Sequence, residues 1–191
     1  MAQYLDTDDT WIRERTGVKS RHISGDKETT ADMAVKAAEK ALENSGLLPD
    51  EIDLIIVSSV SSNLVLPSTA CFVQKAINAK NAFCFDINVA CTGFITAYNI
   101  SQTFINTGLI NTALIIGAES LSKITDWSDR KTCILFGDGA GAVVIKKDEN
   151  AMFETVMFSN GKNGDALTME NPFALRKTNL GKNHQGQFDI D

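Results

Sequence analysis

Two hydrophobic rhythms alternate along the chain. From Thr30 to Asn44 apolar residues return at helical spacing, with Met33, Ala34, Ala37, Ala38, Ala41 and Leu42 on one side. Thr29 and Asp32 form a capping pair ahead of that run, and Gly46 is a natural stop behind it. The stretch Asp53–Val60 is different: a β-branched apolar run between polar residues, the pattern of a strand buried on both faces. A second helix is expected from Pro67 to about Ile77, a second strand over Ala82–Ile87, and a third helix from about Cys91 to Thr107. A third buried strand follows at Thr112–Gly117. Strand–helix–strand repetition with short connections predicts an α/β fold, a mostly parallel sheet between helices.

After Ser120 the rhythm changes. Ile134–Phe136 and Gly141–Ile145 flank a glycine-rich stretch and read as antiparallel strands, and Phe153–Phe158 suggests another. From Asn160 onward glycine, asparagine and lysine become frequent and periodicity fades. The chain therefore divides into residues 1–150, one α/β domain, and residues 151–191, an insertion or loop-rich region. It opens on a polar helix with no strand ahead of it and closes at Phe188–Asp191 without a stop, so both ends read as cut.

Charge and composition narrow the function. A formal net charge of -6 argues against a nucleic-acid surface but leaves room for a local basic patch. No apolar run has the length of a membrane span and the first residues are not a signal peptide, so the expected compartment is the cytoplasm. The cysteines, Cys71, Cys84, Cys91 and Cys133, show no CxxC spacing, and there are only 2 histidines; no metal site is expected. Cys71, Cys84 and Cys133 have apolar neighbours and read as small buried hydrophobes.

Cys91 differs by position. In Asp86–Phe94 (DINVACTGF) it stands where a buried strand turns into a long helix. There the free backbone N–H groups and the positive end of the helix dipole favour the nucleophilic thiolate. Ala90, Thr92 and Gly93 leave room for a substrate. By pattern alone this competes with the ordinary, inert role of a cysteine. Neither His22 nor His184 is placed beside it as a base, and both read as surface histidines.

Trp11 and Arg15 lie one helical turn apart in a helix that Gly17 ends. An indole beside a guanidinium is a platform for an adenine and its phosphates, or simply a surface cation–π pair. Arg13, Arg21 and the pair Lys146–Lys147 read as solvated charges. Gly137–Gly141 (GDGAG) is not a dinucleotide loop, because a strand rather than a helix follows; a tight turn and close backbone packing near the active site are expected. Leu66–Pro67 lies in an apolar, turn-rich loop, the sort of exposed tip that marks a partner surface.

Ala90–Phe94 (ACTGF) is similar to the active-site signature of the β-ketoacyl-acyl carrier protein synthase III group of thiolase-like condensing enzymes. Asp8–Gly17 with Arg21–Ile23, Leu66–Ser68, Ser128–Arg130 and Phe136–Gly141 agree with that family in order, and the likeness fades after about Asn150. The resemblance implies that Cys91 is acylated by an acyl-CoA primer and that malonyl-acyl carrier protein is then decarboxylated and condensed onto it. It implies coenzyme A binding by Trp11, Arg15 and Arg130, with no permanently bound cofactor. It also implies a homodimer in which Leu66 caps the partner's acyl pocket. A leucine there, in place of a larger aromatic, would suit a different primer. The family's histidine and asparagine lie in its second half and have no counterpart here, and its first strand, expected centrally in the sheet, is missing too. Competing expectations are a condensing enzyme of specialised metabolism, a non-catalytic acyl or carrier-protein binding fragment, and a cysteine hydrolase lacking an identified base.

Overall fold

The computed structural model describes residues 5–169, which fall into two units divided after Phe153. In the first, strands β1 (Leu54–Ser58), β2 (Phe83–Ile87), β3 (Thr112–Ser120) and β4 (Asp138–Lys146) form one sheet in the order β2-β1-β3-β4. β1 runs parallel to both neighbours, and β4 returns antiparallel to β3. Helices α1 (Asp9–Thr16), α2 (Thr30–Ser45), α3 (Thr69–Ile77), α4 (Gly93–Asn106) and the short α5 (Arg130–Cys133) complete it.

Alternation along the strands explains the layers. Ile55, Val57, Leu114 and Ile116 point to one face and pack with Ala34, Ala38 and Leu42 of α2 and Val73 of α3. Leu54, Ile56, Ala113 and Ile115 point to the other face and meet Ala97 and Ile105 of α4. All five β1 residues are buried, as the continuous apolar run predicts. The caps hold as well: Thr29 and Asp32 exchange hydrogen bonds at the start of α2, and Gly46 ends it with φ 71°.

Several expectations change. The sheet has no central gap, because β1 and β3 pair directly from Leu54↔Ala113 to Ser58↔Gly117. Residues Ile134–Phe136 are not a strand: Ile134 caps α5, and its side chain packs with Ile12 and Cys133. Of the glycines after them, Gly139 and Gly141 lie within β4 rather than in a turn, and Gly137 just precedes it. Cys71 and Cys84 are only half-buried, and Cys133 alone of the three is sealed. In the second unit, Gly161–Ala166 forms a 3-10 stretch, and residues 154–158 are irregular instead of extending a strand from Phe153. A strand takes its hydrogen bonds from a neighbour, and no described strand pairs there. His184 and Phe188–Asp191 lie outside the described residues.

Candidate active site

Cys91 belongs to a 3-10 turn, Ala90–Thr92, that leads from β2 into α4. Ala90 adopts φ 46°, left-handed backbone that a side chain pays for in strain and that swings the next residue outward. Gly93 then enters α4 against the end of β1: a Cβ there would stand 1.8 Å from Ser58 Oγ. Only glycine lets the helix start this close to the strand, and that closeness fixes the corner on which Cys91 sits.

The outcome is an exposed thiol at the positive end of a 14-residue helix, on a cavity of about 280 Å³. The walls are Ser58 from β1, Gly117 and Glu119 from β3, Phe94 from α4, and Gly139 and Gly141 from β4. The cavity opens where parallel β1 and β3 end, the usual ligand position in open α/β sheets. A Cβ at Gly139 or Gly141 would meet nothing within 4 Å, so these glycines keep a wall low rather than permit tight packing. Gly137 is the tightly packed one, 3.0 Å from Arg21 Cβ by the same measure.

Sequence reasoning missed Ser58 and Glu119. The signal was present in Glu119, a carboxylate closing an otherwise apolar strand. It accepts hydrogen bonds from Val60 N (2.9 Å), Ser59 Oγ (3.4 Å) and Ser61 Oγ.

The basic cluster lies on α1 and α5. Arg15 Cζ is 4.2 Å and Arg130 Cζ 3.9 Å from the centroid of the Trp11 ring, so the three residues form one stack. Asp6 pairs with Arg130 at 3.8 Å, and Arg130 Nε is buried without a hydrogen-bond partner. Arg13 is held by Asp9 at 2.8 Å and is a solvated helix charge as expected. Arg21 is not: it is half-buried and donates to the carbonyl of Ile134. Asp138, the acid of the glycine-rich stretch, accepts from the backbone and hydroxyl of both Ser24 and Ser122. Burial pushes its pKa up, and these hydrogen bonds outweigh that and hold it below the ordinary value. Leu66 stands exposed at the loop tip, before a cis Pro67. His22 is exposed and offers only its carbonyl, to Asp138 N. No helix among the described residues is long and apolar enough to cross a membrane.

A mixed sheet between helices, with a cysteine at the strand-to-helix corner over a cavity, defines the thiolase-like condensing-enzyme fold. A family model described as 3-oxoacyl-[acyl-carrier-protein] synthase III matches residues 85–161. Over most of its length the chain is similar to one part of the β-ketoacyl-[acyl-carrier-protein] synthase III enzymes. It is 51% identical over 183 residues to the synthase III of Clostridium acetobutylicum, covering 93% of this chain and 56% of that one. The crystal structure of the synthase III from Aquifex aeolicus superposes with a TM-score of 0.76 at 48% identity, over 78% of this chain and 48% of that one. The priming β-ketosynthase of the R1128 polyketide pathway superposes with a TM-score of 0.75 at 35% identity, over 78% and 44%. The chain thus spans about half the length of the curated relatives it matches.

Proposed function

We propose that Cys91 takes an acyl group from acyl-CoA, as the acylating half of a β-ketoacyl-acyl carrier protein synthase III that initiates fatty-acid synthesis. The observation that carries this is the exposed Cys91 sulfur on a cavity at the carboxyl ends of β1 and β3. The thiolate attacks the thioester carbonyl, a new carbon–sulfur bond forms, and coenzyme A leaves as its thiolate. Malonyl-acyl carrier protein would then lose carbon dioxide, and the resulting carbanion would displace Cys91 to give 3-oxoacyl-acyl carrier protein. Holding the acyl group as a thioester keeps its carbonyl reactive toward that carbanion.

Trp11, Arg15 and Arg130 are the proposed coenzyme A platform. An adenine would stack on Trp11 by displacing one of the two guanidiniums that now lie over the ring, and the phosphates would meet this local cation cluster on an acidic protein. Leu66 is the proposed cap on the acyl pocket of a second copy in a homodimer. Residues 1–150 form the proposed condensing-enzyme domain, with residues 151–191 as an excursion from it. The reading needs no permanent cofactor and places the protein in the cytoplasm.

A condensing enzyme of specialised metabolism is favoured by one observation, the near-equal superposition on the polyketide priming enzyme. It uses the same Cys91 chemistry and differs in primer and carrier. The test is incubation with radiolabelled acyl-CoA. The protein should retain label that Cys91→Ala abolishes; label retained by the variant, or none on the native protein, leaves an acyl-binding fragment as the better description. Competition among acetyl-, butyryl- and isobutyryl-CoA then separates the two pathways' primers.

A further inference from the structure

The arm 59–68, between the end of β1 and the start of α3, carries three consecutive exposed apolar residues. Val65 is 73% and Leu66 62% exposed, with Leu64 beside them. An apolar tip this exposed needs its base held, or it collapses onto the nearest apolar surface. The base is held by two carboxylates from different strands.

At the β1 end, Glu119 of β3 gathers Ser59, Val60 and Ser61 as described above. Ser61 Oγ, while donating to Glu119, accepts from Ser120 N at 2.8 Å. The Ser61 carbonyl accepts from Thr30 Oγ1 at 2.6 Å, which ties the same point to α2. At the α3 end, Asp86 of β2 accepts from Thr69 N at 2.6 Å and Ala70 N at 2.8 Å. These are first-turn N–H groups that lack partners within the helix. Thr69 Oγ1 and Ser62 Oγ, 3.0 Å apart, close the base of the arm on itself. Ser59 N also donates to Ile87 O at 3.2 Å, on the strand that runs on to Cys91. The arm and the nucleophile's corner therefore share one hydrogen-bonded frame.

We propose that Glu119 and Asp86 are positioning residues that clamp the two ends of this arm and thereby set where Leu66 stands relative to a bound acyl chain. The part concerning the acyl chain rests on the reading of Leu66 as a pocket cap. Charge-assisted hydrogen bonds to backbone N–H groups are among the stronger polar contacts. Losing a carboxylate at either end strands donors that the fold has already taken out of water.

The experiment compares Glu119→Ala, Asp86→Ala, Glu119→Gln, Asp86→Asn and Leu66→Ala in the full chain. Amide hydrogen exchange is read at residues 60–62 and 69–71, and acylation of Cys91 is read with acetyl- against octanoyl-CoA. Each alanine variant should speed exchange at its own end of the arm by about tenfold or more while leaving β1 and β3 protected. The Gln and Asn variants, which keep an acceptor oxygen, should recover part of the protection. The ratio of acetyl to octanoyl labelling should move in the same direction in Glu119→Ala, Asp86→Ala and Leu66→Ala. Unchanged exchange along the arm in both alanine variants overturns the clamp. Faster exchange with a labelling ratio that moves only in Leu66→Ala confines the carboxylates to stability and overturns the positioning role. Should the ratio stay fixed in Leu66→Ala while exchange rises in the carboxylate variants, the clamp stands and the pocket-cap reading falls.

Discussion

Cys91 and Cys84 lie seven positions apart in sequence, one at the corner after β2 and one within that strand, yet their surroundings are opposite. Cys91 is exposed over the cavity, with small residues before and after it. Cys84 is wedged against α3, where burial, then the Cys71 thiol and the Asp86 carboxylate, push its pKa up to about 11. Cys133 is sealed beneath α1, and burial first, then the Asp129 carboxylate, raise its pKa as well. A thiol's chemistry is thus set by the backbone that presents it. The turn at Ala90 and the near-contact of Gly93 with Ser58 lift Cys91 out of the packed layers that hold Cys84 and Cys133.

The largest effect expected from this contrast is on acylation itself. Cys91→Ala should lower acyl transfer by about 100-fold or more, because no other described thiol stands at the cavity. Cys84→Ala and Cys133→Ala should keep it within about twofold once their modest loss of stability is allowed for. Label measured by mass spectrometry on intact protein decides this, and strong dependence on Cys84 would break the comparison.

Alkylation sharpens it further. At pH 8 a thiol with a pKa of about 11 is ionised to roughly one part in a thousand. Cys91 should therefore react with iodoacetamide while Cys84 remains untouched, and reaction at Cys84 should climb about tenfold per pH unit up to about pH 11. Peptide mapping after timed alkylation reads both. Equal rates at pH 8 would remove the distinction drawn from burial.

Gly93→Ala tests the corner that creates the contrast. The added methyl would fall on Ser58 Oγ, so the helix start or the serine must shift, at a cost of about 1–3 kcal/mol. Thermal unfolding should show a lower midpoint, and Cys91 labelling should fall with it. Adding Ser58→Gly frees the clashing atoms and should restore much of both, whereas a loss that the second substitution does not touch would place the cause elsewhere.

How much of this was readable beforehand depends on the range of the interaction. The alternation of β1, α2, α3 and β3, with the Thr29–Asp32 cap and Gly46 stop, is written in local spacing and could be read from it. The strand-to-helix setting of Cys91 is local as well and could be read in the same way. Ser58 and Glu119 were missed because their place on the cavity comes from β1 pairing with β3 across more than fifty residues. The expected strands at Ile134–Phe136 and from Phe153 failed for a similar reason. Apolar residues at Ile134 were needed under α1, a tertiary demand that spacing alone does not reveal. Arg21 was read as a solvated charge because nothing local announces the carbonyl of Ile134 that it binds.

Asp138 gives the smallest expected effect and the one that depends most on such long-range geometry. Its carboxylate joins Ser24, Ser122 and the start of β4, the strand whose glycines form one wall of the cavity. Asp138→Ala leaves four donors without their acceptor and should cost about 1–3 kcal/mol, with cavity access altered less than in Gly93→Ala. Asp138→Asn should retain part of the network. The pH dependence carries a defined sign. The folded carboxyl has a pKa below its ordinary 3.8, so its contribution is fully present above that value and is lost as pH falls through the lowered folded value. Native protein should therefore lose stability below about pH 4 more steeply than Asp138→Asn, in which this group no longer titrates. Chemical unfolding at pH 7, 4, 3 and 2.5 measures the difference, and parallel curves for the two proteins down to the lowest pH would show that the Asp138 carboxylate adds no stability through its bonds to Ser24 and Ser122.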